Sequence, residues 1–152
     1  MQYLHGLEFD SVLEFGAGFG RITKLIVEEF KPSKYTAVDI SQDQLYNMPD
    51  FDIDVQKIIC DIYHYDDDNR YDLVIAVEVL MHQLPKKVKH IINNMIRLSK
   101  KHVVSLDYEG PPDEPLAAWN FSHDYTALYR YNLSMQPVGN NQYLYHRRVE
   151  SK

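Results

Sequence analysis

Three glycines at alternate positions, Gly16, Gly18 and Gly20, stand between a short apolar run and an amphipathic segment. The run Ser11-Val-Leu-Glu-Phe15 is dense in residues that fit a pleated, covered surface, and it predicts a strand. After the glycines, Ile22, Leu25, Ile26 and Phe30 recur at the three- and four-residue steps of one helix face. Pro32 and Ser33 stop that helix. Strand, glycine turn and helix in this order reverse the chain within a few residues. Glycine permits the reversal because no Cβ clashes in left-handed backbone conformations. The same loop lets the backbone come close to a ligand.

The alternation continues along the chain. Tyr35–Val38 predicts a second strand, closing on Asp39, and Ser41 is a plausible N-cap for a brief helix through Tyr46 that Pro49 ends. Val55–Ile59 reads as a third strand, and the polar run Asp66–Arg70 as a loop. Tyr71–Val77 is the clearest strand, apolar enough to be covered on both faces. Leu84-Pro85 opens a second helix with the stripe Val88, Ile91, Ile92, Met95 and Ile96. Val103–Leu106 predicts a fifth strand, Gly110–Pro115 a loop, and Tyr125–Tyr131 a short helix. Met135–Val138 and Tyr143–Val149 flank the turn Gly139-Asn-Asn141 as a hairpin. Strands alternating with helices predict an α/β fold, a mostly parallel sheet wound on both faces.

A chain of 152 residues predicts a single domain, and 45% hydrophobic with 25% charged residues excludes a wholly disordered one. The lone Cys60 cannot form an internal disulfide, which excludes a stapled secreted scaffold. No apolar run approaches the roughly 20 residues that span a bilayer. Residues 1–10 lack a signal-peptide pattern, so the expected location is cytoplasmic, with no membrane contact. A net charge of −6 argues against broad nucleic-acid binding, which stays possible but not favoured. Residues 1–85 carry −10 and residues 86–152 carry +4, a pattern that fits either solvated side chains or an anionic partner of the second half.

In doubly wound sheets, ligands bind outside the carboxyl ends of the strands. Asp39 follows the second strand, 19 residues beyond Gly20, where a carboxylate can accept hydrogen bonds from both hydroxyls of a ribose. Asp61 follows the third strand and could accept from an adenine amino group. The alternatives for each acid are a helix cap or an exposed loop charge. A nicotinamide-type fingerprint would need Gly or Ala at position 21, where Arg21 stands, and the lysine of a nucleoside-triphosphate loop is missing.

Taken in order, Val12-Leu-Glu-Phe-Gly-Ala-Gly-Phe-Gly20, Ala37-Val-Asp-Ile40, Cys60-Asp-Ile62 and Tyr71-Asp-Leu-Val-Ile-Ala-Val-Glu-Val-Leu80 resemble the class I S-adenosylmethionine-dependent methyltransferases. The resemblance covers roughly residues 8–110. It implies a Rossmann-like, doubly wound seven-stranded sheet with an antiparallel C-terminal hairpin strand, and S-adenosyl-L-methionine as cofactor. It also implies cofactor-binding roles for Glu14, Gly16, Ala17, Gly18, Gly20, Asp39, Ile40, Asp61, Ile62, Glu78 and Val79. In these roles the glycines surround the methionine part, Asp39 holds the ribose, Asp61 lies near the adenine, and Glu14 reaches the amino group through the loop or water. Glu78 and Val79 line the site beside the sulfonium. Members usually carry a helical segment ahead of the first strand that closes over the cofactor. Only about ten residues precede Ser11, so either the site is open, or the chain is shortened, or closure comes from elsewhere: from the loop Gly110–Trp119 or, as favoured, from a homodimer or partner subunit.

Methyl transfer needs an aligned nucleophile and, for oxygen or protonated nitrogen, a proton acceptor. Histidine suits that task near neutral pH. His82 follows the fourth strand, and His123 lies beyond the fifth strand and its loop. His123 is the first candidate catalytic residue and His82 the next, and packing roles are the alternatives. Trp119, Phe121 and Tyr125 read either as core or as a substrate wall, with core favoured. Glu78 with His82 is too small a set for a metal site, so none is expected. Cys60 reads as a buried apolar thiol. The expected reaction is methyl transfer to O or N of a modest-sized acceptor. The alternatives are a non-catalytic module working with a partner, or an RNA or protein methyltransferase footed on Lys86, Lys87 and Lys89.

Overall fold

A computed structural model describes residues 2–108, 115–139 and 141–150. The order is β1 (Ser11–Phe15), α1 (Arg21–Phe30), β2 (Lys34–Asp39), α2 (Gln42–Tyr46), β3 (Val55–Ile59), β4 (Tyr71–Val77), α3 (Pro85–Leu98), β5 (Ser99–Tyr108), β6 (Pro115–Ala117), β7 (Asn120–Phe121), α4 (Tyr125–Tyr129), β8 (Leu133–Gly139) and β9 (Gln142–Arg148). Single 3-10 turns lie at Gln2–Gly6 and Leu80–His82. Seven strands form one sheet in the order β3-β2-β1-β4-β5-β9-β8. The first five run parallel, and β9 is antiparallel to both β5 and β8.

Alternate side chains of a strand face opposite sides of a sheet, and here both sides are covered. Leu13 and Phe15 of β1, with Val74 and Ala76 of β4, pack beneath Ile91, Ile92 and Met95 of α3 and Tyr125 and Tyr129 of α4. Val12, Leu73 and Ile75 face the other way, against Ile26 and Val27 of α1. The apolar stripes of α1 and α3 supply the two covering layers. The strand order reverses between β1 and β4, next to the glycine loop. That is where doubly wound folds place their crevice.

Several elements differ from expectation. β5 spans Ser99–Tyr108, beyond the apolar Val103–Leu106, because β4 and β9 pair along its length. α4 stops at Tyr129, where Arg130 takes a left-handed φ of 61°. The antiparallel β6–β7 ribbon and the two 3-10 turns were not foreseen. Most of the expected loop Gly110–Pro115, and Asn140 of the hairpin turn, lie outside the described residues. Among the described residues, no helix is long and apolar enough to cross a membrane.

At the amino ends of the parallel strands the N-terminal turn is fastened to the sheet. The Tyr3 hydroxyl lies 2.7 Å from His146 Nδ1, and His146 Nε2 lies 3.1 Å from His102 Nδ1. Burial, then the neighbouring His102 and Arg148, pushes His146 down to about 4, so the ring is neutral at pH 7. A cleft of about 930 Å³ opens beside this pair, lined in part by Lys101 and Arg148. It lies at the opposite end of the sheet from the crevice.

Candidate active site

The turn after β1 is built on backbone. Gly16 N and Ala17 N both donate to Val38 O, at 2.8 and 3.2 Å, tying the loop to β2. Gly16 has φ 69°, and a Cβ there would stand 2.3 Å from Val79 Cγ2, so any other residue would be strained and would force the loop or Val79 to shift. Asp39, at the end of β2, takes the Gly18 N–H on Oδ2 and the Ser41 N–H on Oδ1, each at 2.8 Å. Its carboxylate thus joins the glycine loop to the start of α2. Each oxygen retains a lone pair for a further donor.

Around this loop lies a cleft of about 450 Å³, lined by Gly16, Gly18, Asp39, Ile40, Gln44, Cys60, Asp61, Ile62, Glu78, Val79, His82 and Gln83. Nine of these twelve were expected from the sequence as site residues. Gln44, Cys60 and Gln83 were missed. Cys60 lines the cleft and is only partly buried, which corrects its reading as a buried thiol. Burial, then the nearby Asp61, raises its pKa, so it stays a thiol. Asp61 Oδ1 accepts from Tyr63 N at 2.9 Å, and Lys87 Nζ lies 3.7 Å from its Oδ2. Glu78 takes a left-handed φ of 57°, an uncommon conformation outside glycine, and accepts from Gln142 Nε2 at 2.6 Å and Arg21 Nη2 at 3.2 Å.

Ala17 and Gly20 shape the loop from outside the cleft lining, and Gly20 N donates to Ala17 O at 3.0 Å. Glu14 stands behind the loop, 2% exposed, with Oε2 accepting from Thr23 Oγ1 at 2.6 Å and Tyr35 Oη at 2.7 Å. Burial, against those hydrogen bonds, pushes its carboxyl up to about 7. The folded chain therefore holds this proton more tightly than the unfolded one. Between about pH 4.5 and 7 the folded state binds more protons, and stability falls as pH rises through that window. A shift of this size corresponds to roughly 3 kcal/mol. Thermal melts from pH 4.5 to 8 should show Glu14→Gln gaining on the wild type as pH rises. A difference that stays flat with pH would contradict a protonated Glu14.

The two histidines part company. His82 is exposed on the cleft, and its Nδ1 lies 3.4 Å from Trp119 O. With that nitrogen donating, Nε2 is left as an acceptor. His123 is 6% exposed and lies outside the cleft lining, and its Nε2 donates to Leu80 O at 3.1 Å. The aromatic segment divides as well. Tyr125 is core, Phe121 is half-buried, and Trp119 is 79% exposed at the β6–β7 tip, which corrects its reading as core. Sequence reading missed Asp107 altogether. It is fully buried near the end of β5, and its Oδ1 accepts from Met81 N at 3.1 Å. Burial, with the charge of Glu78 adding to it, pushes Asp107 up to about 8. Among the described residues, no group of three or more His, Cys, Asp or Glu side chains could hold a metal ion.

A parallel sheet with a crevice at its strand switch, floored by a glycine loop and walled by a carboxylate at the end of β2, defines a nucleoside-cofactor site of the doubly wound class. The family model for a methyltransferase domain matches residues 12–102, more than half of the chain. The chain belongs to that family and is a class I S-adenosylmethionine-dependent methyltransferase. No curated protein sequence matches it. Among solved structures, the chain is similar in fold to the N-methyltransferase NodS of Bradyrhizobium japonicum WM9, at TM-score 0.75 and 15% identity over 97% of this chain and 90% of that one. It is also similar to magnesium protoporphyrin IX methyltransferase of Synechocystis PCC 6803 with bound cofactor, at TM-score 0.72 and 14% identity over 91% and 69%. A third similar structure is the complex between the Haloferax volcanii Trm112 methyltransferase activator and a methyltransferase, at TM-score 0.75 and 14% identity over 95% and 84%.

The residues present fit S-adenosylmethionine. Gly16 and Gly18 give a floor without side chains, and Asp39 presents a carboxylate edge to the cleft. Ile40 and Ile62 give apolar walls beside Asp61.

Proposed function

We propose that this methyltransferase acts on an oxygen or nitrogen atom of a small acceptor entering beside His82. The observation that carries this reading is that His82 lines the same cleft as Gly16, Gly18 and Asp39, with Nδ1 toward the Trp119 carbonyl. When bound, the cofactor supplies a methyl group already activated by its positive sulfur. The chain's own task is then alignment and proton acceptance. Asp39 fixes the ribose, and the glycine loop fixes the methionine part. Glu78 and Val79 line the same cleft as His82, with Val79 close against Gly16. His82 Nε2 accepts the proton that the nucleophile loses.

The test is a screen of candidate acceptors with isotopically labelled cofactor, read by mass spectrometry, on the wild type and His82→Ala. Turnover is expected to fall by about 10²–10⁴ in the variant, with cofactor affinity held. Equal rates on the acceptor found would remove His82 from this role.

A second reading has a partner chain close the cleft. Exposed apolar side chains favour it: Ile40, on the cleft, is 70% exposed, and Phe19, in the glycine loop, 58%. Light scattering with and without cofactor separates the two, since a monomer that binds and turns over alone needs no such partner. Anchoring of anionic macromolecules on the α3 lysines is less well supported, because Lys87 is already engaged by Asp61 and the Tyr63 ring.

A further inference from the structure

We infer that Asp107 and His123 are positioning residues that together hold the backbone turn carrying His82. The inference rests on the reading of the cleft as a methyl-transfer site, and it assigns the two buried groups that reading leaves unused. The Leu80–His82 turn is three residues long. A helical turn of that length does not sustain itself, because nucleation fixes several dihedrals for one hydrogen bond. Its internal bonds are His82 N to Val79 O at 3.1 Å and Gln83 N to Leu80 O at 2.9 Å.

Two further bonds come from outside, both from later in the chain. From β5, the fully buried Asp107 accepts the Met81 N–H. From the segment between β7 and α4, the buried His123 donates to the Leu80 carbonyl. Burying a carboxyl and an imidazole costs desolvation, and apolar residues would fill the space more cheaply. What an apolar residue at position 107 could not do is satisfy the buried Met81 N–H.

The segment that holds His123 also holds Trp119. Trp119 sits at the tip of the β6–β7 ribbon with a left-handed φ of 69°, and its carbonyl faces His82 Nδ1. Residues 119–123 therefore grip the turn twice, once at the Leu80 carbonyl and once at the His82 ring. The grip explains why a side chain on so short a turn can face the cleft in one orientation. It also sets the tautomer: with Nδ1 donating to a carbonyl, Nε2 presents its lone pair. The cofactor end hangs on different supports, the Val38 carbonyl and the Asp39 carboxylate.

The experiment uses the full chain with isotope-labelled histidine. His82 is assigned by its absence in His82→Ala, and its tautomer is read by NMR. Trp119 is the only tryptophan, so fluorescence anisotropy reports the ribbon tip without a label. S-adenosylhomocysteine is the calorimetric probe of the cofactor end. In Asp107→Ala and His123→Ala, the His82 ring is expected to lose its Nδ1–H bias and Trp119 anisotropy to fall. Affinity for the probe should stay within about threefold, as for independent sites. Asp107→Asn and His123→Gln keep an acceptor and a donor at these positions and should restore both signals. If Asp107→Ala does not fold, the other three variants carry the test. Unchanged His82 and Trp119 signals in the folded alanine variants would overturn the inference, as would no rescue by Asn and Gln. A wild type that fails to bind S-adenosylhomocysteine would overturn the functional reading instead, because the His82 and Trp119 signals are read without ligand.

Discussion

Gly16→Ala is expected to lower affinity for S-adenosylhomocysteine by at least about a hundredfold, or roughly 2.7 kcal/mol. Two costs combine. A non-glycine residue at φ 69° pays roughly 1–3 kcal/mol of backbone strain. The new Cβ would also lie 2.3 Å from Val79 Cγ2 and 3.0 Å from Cγ1, an overlap worth roughly 1–3 kcal/mol more. Relief requires the loop to move off Val79. That carries the Gly18 N–H away from Asp39 and raises the floor of the cleft. Leu13 and Phe15 of the preceding strand are fully buried, so the sheet should survive with a lower melting temperature. Val79→Ala in the same background removes the overlap but not the strain, so it should recover part of the loss. Calorimetry on the three proteins checks this, and wild-type affinity in Gly16→Ala would contradict the close approach.

Asp39→Ala is expected to weaken binding about ten- to a hundredfold, because hydrogen bonds to a charged group are worth roughly 1.5–3 kcal/mol. The variant loses the acceptor for the ribose and frees the Gly18 and Ser41 N–H groups that the carboxylate now ties together. Asp39→Asn keeps one oxygen and should fall between the two. Titration of all three proteins with the same probe gives the order. An alanine variant that binds as well as the wild type would show that the ribose is held elsewhere.

Much of the fold was legible because its signals are local. The β4 run announces a strand covered on both faces, and the spacings along α1 and α3 announce their stripes. The glycine loop and Asp39 could be placed because strand ends in this topology converge on one crevice. Pairing and burial were not legible. The β6–β7 ribbon spans too few residues for any periodicity and depends on its two strands meeting. His123 read as the first catalytic candidate and His82 as the next, each beyond a strand. Tertiary packing buries one against the Leu80 carbonyl and leaves the other on the cleft. Trp119 looked like core, yet it occupies a hairpin tip. Glu14 was expected to act through the loop or water, and its hold on Thr23 and Tyr35 behind the loop is a matter of packing that the sequence does not announce. Gln44 had a faint signal as the third residue of the helix that Ser41 caps, one turn beyond Asp39. Its Oε1 would meet a Cβ on Gly18 at 2.7 Å, which brings it to the cleft. Asp107 carried no sequence signal, because a lone acid near a strand end looks like any exposed loop charge.

The central claim is that the glycine loop and Asp39 hold S-adenosylmethionine. Its most direct measurement is a calorimetric titration of the purified chain with S-adenosylhomocysteine, with NAD titrated in parallel. The expected result is saturable one-to-one binding of the homocysteine derivative, weakened in Asp39→Ala, and no heat from NAD. Binding of NAD with none of S-adenosylhomocysteine would contradict the claim.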